Sequence, residues 1–275
     1  MAKPEYVFTR DFHDDNRDNR RINLQHYLWT ELFGYHIHPS IPISNPNLRI
    51  ADVGTGTGIW LTDLSRRLPS TVSLDGLDIS FSALPPKECL PSNMTLHSYD
   101  ILSETPDHLR GVYDIVHVRN FSFVVRDSEA ESVIGNVLQL LKPGGYIQWA
   151  EVDALSYRIE KTNPNCKDKA LKELMRLGRA TDDRITPHWV PEIPYFFQQA
   201  KLQEVQNEVK EAPPYMAVAK HECNLIVPEM LAHTTQDSAL SEGLSRLLPE
   251  VVEETHGGAY WAFTRLTVVG RKPSG

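Results

Sequence analysis

The chain has 275 residues and a formal net charge of −8 at pH 7, with 41% hydrophobic and 23% charged residues. This length suits one large α/β domain, or one domain with additions, and the negative charge argues against a nucleic-acid surface. The three cysteines lie far apart and include no C-x-x-C pair, so we expect neither a disulfide framework nor a metal site. Because the N-terminus is charged and no apolar run approaches about 18 residues, we expect a cytoplasmic protein without a membrane span.

The first part of the chain, residues 1–47, is predicted to form a helical lid or substrate segment. Residues 1–19 show no apolar period and are expected to lie on the surface or to form part of that lid. Apolar residues recur at helical spacing from Arg20 to Phe33, where a glycine ends the predicted helix, and three prolines make the next segment a loop. His26 in this helix fits a packed histidine as well as it fits a ligand.

A glycine-rich turn between an apolar strand and a helix is the strongest signal in the chain. The strand begins at Leu48, the turn is Asp52–Gly58, and the helix is predicted to reach Arg67. Its glycines occupy every second position: Gly54, Gly56 and Gly58. Such a turn lets a ligand lie against the backbone near the helix N-terminus. A dinucleotide fingerprint would need a glycine where Ile59 stands, and a P-loop would need a lysine that this segment lacks.

Three more strands are predicted to end in polar residues at one edge of a sheet. They cover 72–79, 94–99 and 113–118 and lead to Asp78, Asp100 and Arg119. An acid at the end of the second strand is placed to accept the hydroxyls of an adenosine ribose. The competing interpretation of the two aspartates is a helix cap or a solvated acid, and Arg119 fits a surface ion pair equally well. His117, inside the fourth strand, is expected to be a core histidine.

The clearest helical period in the chain lies between Ser128 and Leu141 and is followed by a Lys-Pro-Gly-Gly stop. A fifth strand is predicted over 146–152, with Glu151 near its end and Asp153 just beyond. The alternation of strands and helices up to this point predicts a parallel, doubly wound sheet. Ligands of such sheets bind at the carboxyl ends of the strands, which is where the polar residues would converge.

The last part of the chain, 154–275, is predicted to cover the substrate while remaining part of a single compact domain. Helices are expected over 167–178 and 238–248, and strands over 202–211 and 260–270. No internal repeat or low-complexity linker separates this part from the rest.

In this order, the motifs resemble those of the class I S-adenosyl-L-methionine (SAM) dependent methyltransferases. The amino-acid sequences of several segments resemble those of the fungal LaeA-like group. The segments are Leu24–His26, Asp52–Trp60, Leu77–Ser80, Tyr113–Arg119, Leu141–Tyr146 and Val269–Pro273. The resemblance implies an α/β fold with a Rossmann-like, seven-stranded sheet, an N-terminal helix, a SAM-binding core over 48–153, a C-terminal helical insertion and an antiparallel final hairpin. Most members of the group are tailoring enzymes of secondary metabolism, and one branch is regulatory.

The resemblance also implies which residues bind SAM. They are Asp52, Gly54, Gly56, Gly58, Asp78, Ile79, Asp100, Ile101, Arg119, Asn120 and Phe121. The glycine turn would cradle the methionine part, and the acids after the second and third strands would meet the ribose and the adenine. The segment after the fourth strand would line the sulfonium side. Acidic residues suit a cofactor that carries a sulfonium cation and no phosphate.

The implied reaction is an in-line transfer of a methyl group to a small-molecule acceptor, with oxygen as the expected acceptor atom. The candidate bases are Glu151, His188 and His256. The candidate substrate wall consists of aromatic residues, for which core packing is the competing interpretation: Tyr27, Trp149, Trp189, Tyr195 and Phe196. Two alternatives stay open, a SAM-binding fold that promotes a rearrangement or cyclisation and a regulator that acts through protein partners. Neither nucleic acid nor a membrane is expected as a partner, and the oligomeric state is left open.

Overall fold

A seven-stranded mixed sheet forms the centre of the computed structural model, which describes residues 16–181 and 183–274. Five strands run parallel: β1 (Arg49–Val53), β2 (Ser73–Asp78), β3 (Met94–Ser98), β4 (Tyr113–Arg119) and β5 (Leu141–Lys161). Two more are antiparallel to their neighbours: β6 (Gln203–Glu211) and β7 (Ala259–Arg271). The spatial order is β3-β2-β1-β4-β5-β7-β6, so the winding reverses between β1 and β4. The predicted doubly wound sheet is confirmed.

The described residues form seven α-helices around this sheet. They are α1 (Asn16–Phe33), α2 (Ile59–Ser65), α3 (Ala130–Gln139), α4 (Lys169–Thr181), α5 (Ile193–Gln199), α6 (Pro214–Thr234) and α7 (Ser238–His256). α1 begins before Arg20, the predicted start, and the part of the predicted lid over 1–15 lies outside the described residues. Within the described ranges, no helix has both the length and the apolar character of a membrane span.

Both faces of the sheet are covered, so its strands are apolar on both sides. On one face Ile50 and Ile115 pack against Trp60 of α2. On the other face Val116 packs with Val133 of α3. Successive residues of β4 therefore face opposite helices, and this period of two explains why short apolar runs predicted these strands correctly.

β5 is much longer than the strand that the sequence predicts. It pairs with β4 as far as Ala150 and continues to Lys161 against β7. A bulge between Asp153 and Arg158 separates the two parts. The second part is mostly half-buried and shows no alternation of buried and exposed residues, so no strand period marks it in the sequence.

The part of the chain after residue 153, called the covering part below, contains a long helix, α6, that the sequence did not reveal. Its apolar residues are not confined to one face, and prolines stand at its start and at Pro228, so no helical period stands out. α4, α6 and α7 pack together around Leu171, Leu225 and Leu247, and α6 also packs against α1. Because α6 and α7 lie between β6 and β7 in sequence, the final antiparallel pair is not a hairpin.

Candidate functional site

The glycine turn connects β1 to α2 in a left-handed conformation. The φ angle is 69° at Gly54, 56° at Gly56 and 71° at Gly58. Residues with a Cβ disfavour this region, so the three glycines permit the turn. Among the described residues no side chain caps the start of α2. The first N–H groups of α2 therefore remain available to a ligand.

Asp78 reaches the glycine turn from the neighbouring strand, β2. Its Oδ2 accepts a hydrogen bond from the Gly56 N–H at 2.8 Å, and its Oδ1 accepts one from the Ser80 N–H at 3.2 Å. The carboxylate is buried, whereas the next residue, Ile79, is exposed. Asp78 thus lies at the predicted strand end and also supports the turn, a role that the sequence did not reveal.

Asp100 and Ile101 follow β3, the strand beside β2. Asp100 Oδ1 accepts a hydrogen bond from the Leu102 N–H at 2.9 Å, and Oδ2 accepts one from the Ser103 hydroxyl at 3.4 Å. Ile101 is buried. The two acids therefore stand at the ends of adjacent strands, and Asp100 also forms the local turn that is typical of aspartate.

The segment after β4 folds over the glycine turn. A Cβ built on Gly54 would lie 2.6 Å from Cε2 of Phe121, so the aromatic ring occupies the space beside this glycine. Asn120 has a φ of 63°, and its N–H donates to the carbonyl of Ala150 at 3.1 Å. Gly54 after β1 and Phe121 after β4 were both predicted to bind SAM, and the fold brings them together.

Glu151 is fully buried behind this segment. It accepts hydrogen bonds from the N–H of Phe121 at 2.7 Å, the N–H of Ser122 at 3.2 Å and the indole N–H of Trp149 at 2.9 Å. Burial raises the pKa of Glu151 to about 7, against the lowering effect of these hydrogen bonds. The enclosed oxygens of Glu151 fix the backbone after β4, and its role as a base stays a prediction.

Asp52 is engaged inside the core. Its Oδ1 lies 2.7 Å from Nδ1 of His117, and the imidazole ring stacks on Trp60 with 3.9 Å between centroids. Burial lowers the pKa of His117, so a neutral imidazole donates its Nδ1–H to the carboxylate. The core role expected for His117 is confirmed. Asp52 was predicted to cradle the methionine part of SAM together with the glycines, and this role stays a prediction beside the contact with His117.

Arg119 belongs to a buried cluster with residues of α1 and α2. Its Nη2 lies 3.3 Å from Nδ1 of His26, whose Nε2 lies 3.1 Å from Oδ2 of Asp63. Nε2 of His36 approaches the same oxygen at 2.6 Å. Because a guanidinium only donates, Nδ1 of His26 accepts and its Nε2 carries the hydrogen that Asp63 receives.

The pKa values of this cluster agree with neutral imidazoles around one carboxylate. Burial, followed by Arg119, lowers the pKa of His26 to about 4. Burial alone would raise the pKa of Asp63, but the hydrogen bonds from His36 and His26 outweigh it and lower the pKa to about 2. The three ligand atoms lie within 4.8 Å of one another, which suits a metal ion. A metal on Nε2 of His26 would move the hydrogen to Nδ1, facing Arg119, so the geometry favours a hydrogen-bonded clamp between α1 and α2.

α1 lies against the glycine turn and is fixed there by side chains. The Thr57 hydroxyl donates to Oδ1 of Asn23 at 2.7 Å. On the other side of α1, Gln25 donates to Oδ1 of Asn224 in α6 at 3.1 Å. α1 thus connects the glycine turn to the covering helices, as a lid would.

A cavity with about 260 Å³ of space between atoms, part of it open to solvent, adjoins the end of β4. Its walls come from α1, β5, α6 and β7 as well, and include Leu28, Trp29, Asn120, Val152, Lys220 and Arg265. Asn120 belongs both to this cavity and to the segment predicted to line the sulfonium side. The cavity is therefore a candidate site for the acceptor. Lys220 and Arg265 were not predicted from the sequence.

The two histidines proposed as bases do not line this cavity. His188 is exposed and pairs with Asp127, with 3.0 Å between Nδ1 and Oδ2. His256 is exposed in the last turn of α7. Within the described residues, no contact brings either of them to Glu151 or to the glycine turn.

The five aromatic residues proposed as a substrate wall do not lie together in the structure. Trp149 and Trp189 are buried in the core, where their rings meet edge to face at 5.7 Å, which agrees with the competing interpretation of core packing. Tyr27 and Tyr195 are exposed, and Phe196 is half-buried beside Tyr195 on α5. None of the five lines the cavity of about 260 Å³.

A family model described as a methyltransferase domain matches residues 50–145. The N-methyltransferase gliN of Aspergillus fumigatus is 32% identical over 206 residues, which cover 72% of this chain and 70% of gliN. This chain belongs to the class I SAM-dependent methyltransferases. Within this family it is similar to the LaeA-like group, since the secondary metabolism regulator laeA of Coprinopsis cinerea is 24% identical over 204 residues, 72% of this chain and 45% of laeA.

Other members of the methyltransferase family match over less of their length. Methyltransferase grgD of a Penicillium species is 36% identical over 166 residues, 58% of this chain, and the match spans only 55% of grgD. The solved complex of Haemonchus contortus phosphoethanolamine N-methyltransferase 2 with S-adenosylhomocysteine superposes with a TM-score of 0.52. It is 16% identical and covers 97% of this chain and 61% of its own, a likeness that shows the fold alone.

SAM, the cofactor of this methyltransferase family, suits the residues present. A left-handed glycine turn gives close backbone approach, and a Cβ on Gly54 would collide with Phe121. Asp78 and Asp100 stand at adjacent strand ends, where acids suit hydroxyl and amino groups. The glycine turn and the first turn of α2 contain no lysine or arginine, which agrees with a cofactor that has no phosphate.

Proposed function

We propose that the protein transfers a methyl group from SAM to a nitrogen atom of a small-molecule acceptor, and that this acceptor belongs to fungal secondary metabolism. The observation that carries this proposal is the left-handed glycine turn held by Asp78, inside the segment that matches the methyltransferase family. The choice of nitrogen is supported by gliN and by relatives named as N-methyltransferases in Claviceps purpurea and Clonostachys rogersoniana. We therefore favour nitrogen over the oxygen that the sequence alone suggested.

The strand order supports a direction for the bound cofactor along the sheet edge. Asp100 follows β3, Asp78 ends β2, the glycine turn follows β1 and Asn120 follows β4. Adenine, ribose and methionine would lie in that order, with the sulfonium toward Asn120. The cavity lies on the next strands, β5 and β7, so an acceptor in it would approach the methyl group from the side opposite the adenosine. Holding nucleophile, methyl and sulfur in line at close range supplies much of the catalysis in such a displacement.

The charges around the cavity suit a nitrogen nucleophile. An amine attacks only when its lone pair is free, and burial next to cations lowers the pKa of an amine. Lys220 and Arg265 line the cavity, and Arg119 acts electrostatically on Lys220. Burial and the positive charge of Arg119 would therefore favour the neutral form of an amine that enters this space. An aliphatic alcohol would still hold its proton at pH 7 in the same surroundings, so it would need a base.

Incubation with SAM and matched pairs of amines and alcohols tests the proposal. Mass spectrometry would measure S-adenosylhomocysteine and locate the methyl group in the product. We expect S-adenosylhomocysteine to form with amines and the methyl group to be on nitrogen. Methylation of the alcohols alone, or no turnover of any acceptor by a SAM-saturated protein, would overturn it. The second outcome would favour one of the alternatives, SAM retained for a rearrangement or a regulator that acts through protein partners.

A further inference from the structure

Two buried basic residues in the covering part have no carboxylate partner among the residues that the structure describes. Lys220 of α6 and Arg265 of β7 are each only 5% exposed. Among the described residues, the only contact of the Lys220 ammonium is the Trp29 ring, with 5.9 Å to its centroid. Within the described part of the chain, Arg265 donates only one long hydrogen bond, to the carbonyl of Phe263 at 3.4 Å, although a guanidinium has five N–H donors.

Nothing else in the described surroundings supplies the missing negative charge. Cys223 is the one group that acts on both cations with an attractive sign. Burial raises the pKa of that thiol, so it is neutral at pH 7. Arg119 adds a further positive charge near Lys220. An unpaired buried amine tends to lose its proton, whereas a guanidinium keeps its charge, so an anion from outside the chain would pair with Arg265 and let Lys220 hold its proton.

Lys220 and Arg265 each line two cavities. They line the cavity of about 260 Å³ beside Asn120 and also a second cavity of about 250 Å³. Asn224 is the other residue that the two cavities share, and Trp261 belongs to the wall of the second. An anion between Lys220 and Arg265 would therefore border both cavities.

We propose that Lys220 and Arg265 bind a carboxylate of the acceptor molecule. This inference rests on the proposed function and adds the substrate class: an apolar nitrogen compound that carries a carboxylate. A guanidinium fork matches the two oxygens of a carboxylate, and the ammonium adds a point charge. Leu28, Trp29 and Val152 form an apolar wall for the rest of the molecule.

The acceptor is a better source of this carboxylate than SAM. SAM also has a carboxylate, at its methionine end, but that end belongs at the glycine turn after β1. Arg265 lies on β7, which is separated from β1 by β4 and β5 in the sheet. Lys220 lies on α6, and its described contacts are with α1 and the cavity rather than with the glycine turn.

The titration of Lys220 supports an anion at this place. Burial, followed by Arg265, lowers the pKa of Lys220 to about 6, with Cys223 opposing and Arg119 contributing. A carboxylate between the two cations would reverse this effect and return the proton to the amine. The cavity therefore favours a carboxylate over a neutral group of the same shape.

Calorimetry on the protein saturated with S-adenosylhomocysteine tests this inference without any turnover. The probes are 3-phenylpropanoate and 3-phenylpropanamide, which share shape and differ in charge. We expect the carboxylate to bind at least tenfold more tightly than the amide. Lys220→Met and Arg265→Met should each lower the affinity for the carboxylate at least tenfold and leave the affinity for the amide unchanged. Lys172→Met, on the exposed side of α4, is the matched control and should change neither affinity.

Conservative variants and the affinity for S-adenosylhomocysteine distinguish the possible outcomes of this experiment. Lys220→Arg and Arg265→Lys keep the charge and should retain most of the preference for the carboxylate, which also controls for misfolding. Equal affinity for the two probes, or no binding of the carboxylate at millimolar concentration, would overturn the inference. Loss of S-adenosylhomocysteine affinity in the methionine variants would overturn it as well, because the carboxylate would then be that of the cofactor. A failure to methylate nitrogen would refute the proposed function alone, since these affinities do not depend on turnover.

Discussion

The carboxylate of Asp78 accepts a hydrogen bond from the backbone N–H of Gly56 at 2.8 Å, and this bond joins the end of β2 to the turn after β1. The acid predicted to bind the ribose therefore also fixes the left-handed turn against which the cofactor would lie. Turn geometry and cofactor affinity depend on the same side chain.

Replacement of Asp78 by asparagine keeps the shape of the side chain and removes its charge. Hydrogen bonds to charged groups contribute roughly 1.5–3 kcal/mol, so we expect SAM affinity in calorimetry to fall about tenfold to a hundredfold. Asp107→Asn is the control, because the Asp107 side chain is fully exposed. Unchanged affinity in a folded Asp78→Asn variant would exclude the assignment.

Gly54 tests the contact between the glycine turn and Phe121. Gly54 and Gly34 have positive φ angles, 69° and 82°, so alanine is strained by roughly 1–2 kcal/mol at either position. A Cβ at Gly34 meets nothing within 4 Å, whereas at Gly54 it meets the Phe121 ring. In urea denaturation we expect Gly54→Ala to be the more destabilised variant, and only it should lose SAM affinity. Equal losses of stability in the two variants would show that the ring moves away freely.

The sequence predicted what is encoded locally. The glycine turn, the strand-end acids and the buried strands each depend on a short segment whose period or residue types are visible in one stretch of chain. Glu151 and Trp149 were placed correctly on the fifth strand, but their roles depend on what encloses them, and no local pattern records burial by distant helices. For the same reason the sequence did not reveal that Glu151 is a buried acceptor.

The parts that escaped prediction join segments far apart in the chain. The clamp around Asp63 unites α1 and α2, and Lys220 meets Trp29 and Arg265 only because α6 folds back on α1 and β7. A lone lysine in a helix without a clear apolar face is normally solvated, so nothing in the sequence marks Lys220 as buried. Such clusters become visible only when the tertiary structure is known.

Glu151 makes stability depend on pH in a direction that is unusual for a carboxylate. Its pKa is raised from 4.5 to about 7 by burial, so between these values the folded state keeps a proton that the unfolded state has lost. This contribution is fully present below pH 4.5 and is lost as the pH rises through 7, with a magnitude of roughly 3 kcal/mol. Relative to Glu151→Gln, the free energy of unfolding of the natural protein should therefore fall over this range. Exposed Glu131, changed to Gln, should show no such difference, and a flat difference for Glu151→Gln would refute the assignment.

His26 acts in the opposite direction. Its pKa is lowered from 6.5 to about 4, mainly by burial, so the unfolded state binds a proton that the folded state refuses. Its contribution is present above pH 6.5 and is lost as the pH falls through 4, again roughly 3 kcal/mol. In denaturant titrations, the natural protein should lose stability relative to His26→Gln on acidification over this window. His233→Gln, at an exposed position of α6, is the control. A parallel pH dependence of the natural protein and His26→Gln would contradict the clamp.

Lys220 offers a stability test of the carboxylate site that is independent of affinity. Its pKa is lowered from 10.5 to about 6, so its burial becomes increasingly unfavourable as the pH falls between these values. Methionine has a similar length and no proton to release on folding, so its burial avoids this unfavourable deprotonation. We expect Lys220→Met to raise the melting temperature at pH 7 and the gain to shrink toward pH 10.5.

Calorimetric melting of the two proteins with and without 3-phenylpropanoate completes this test. A ligand that binds only the folded state stabilises it, so the carboxylate should raise the melting temperature of the natural protein and leave that of Lys220→Met unchanged. The exposed replacement Lys172→Met should behave like the natural protein. If Lys220→Met is instead less stable at every pH, then the lysine has a stabilising partner in the chain, and its burial is not explained by a ligand. If Lys220 binds a ligand, it should lower the stability of the free protein, and the carboxylate should restore that stability. A purely structural role would produce neither effect.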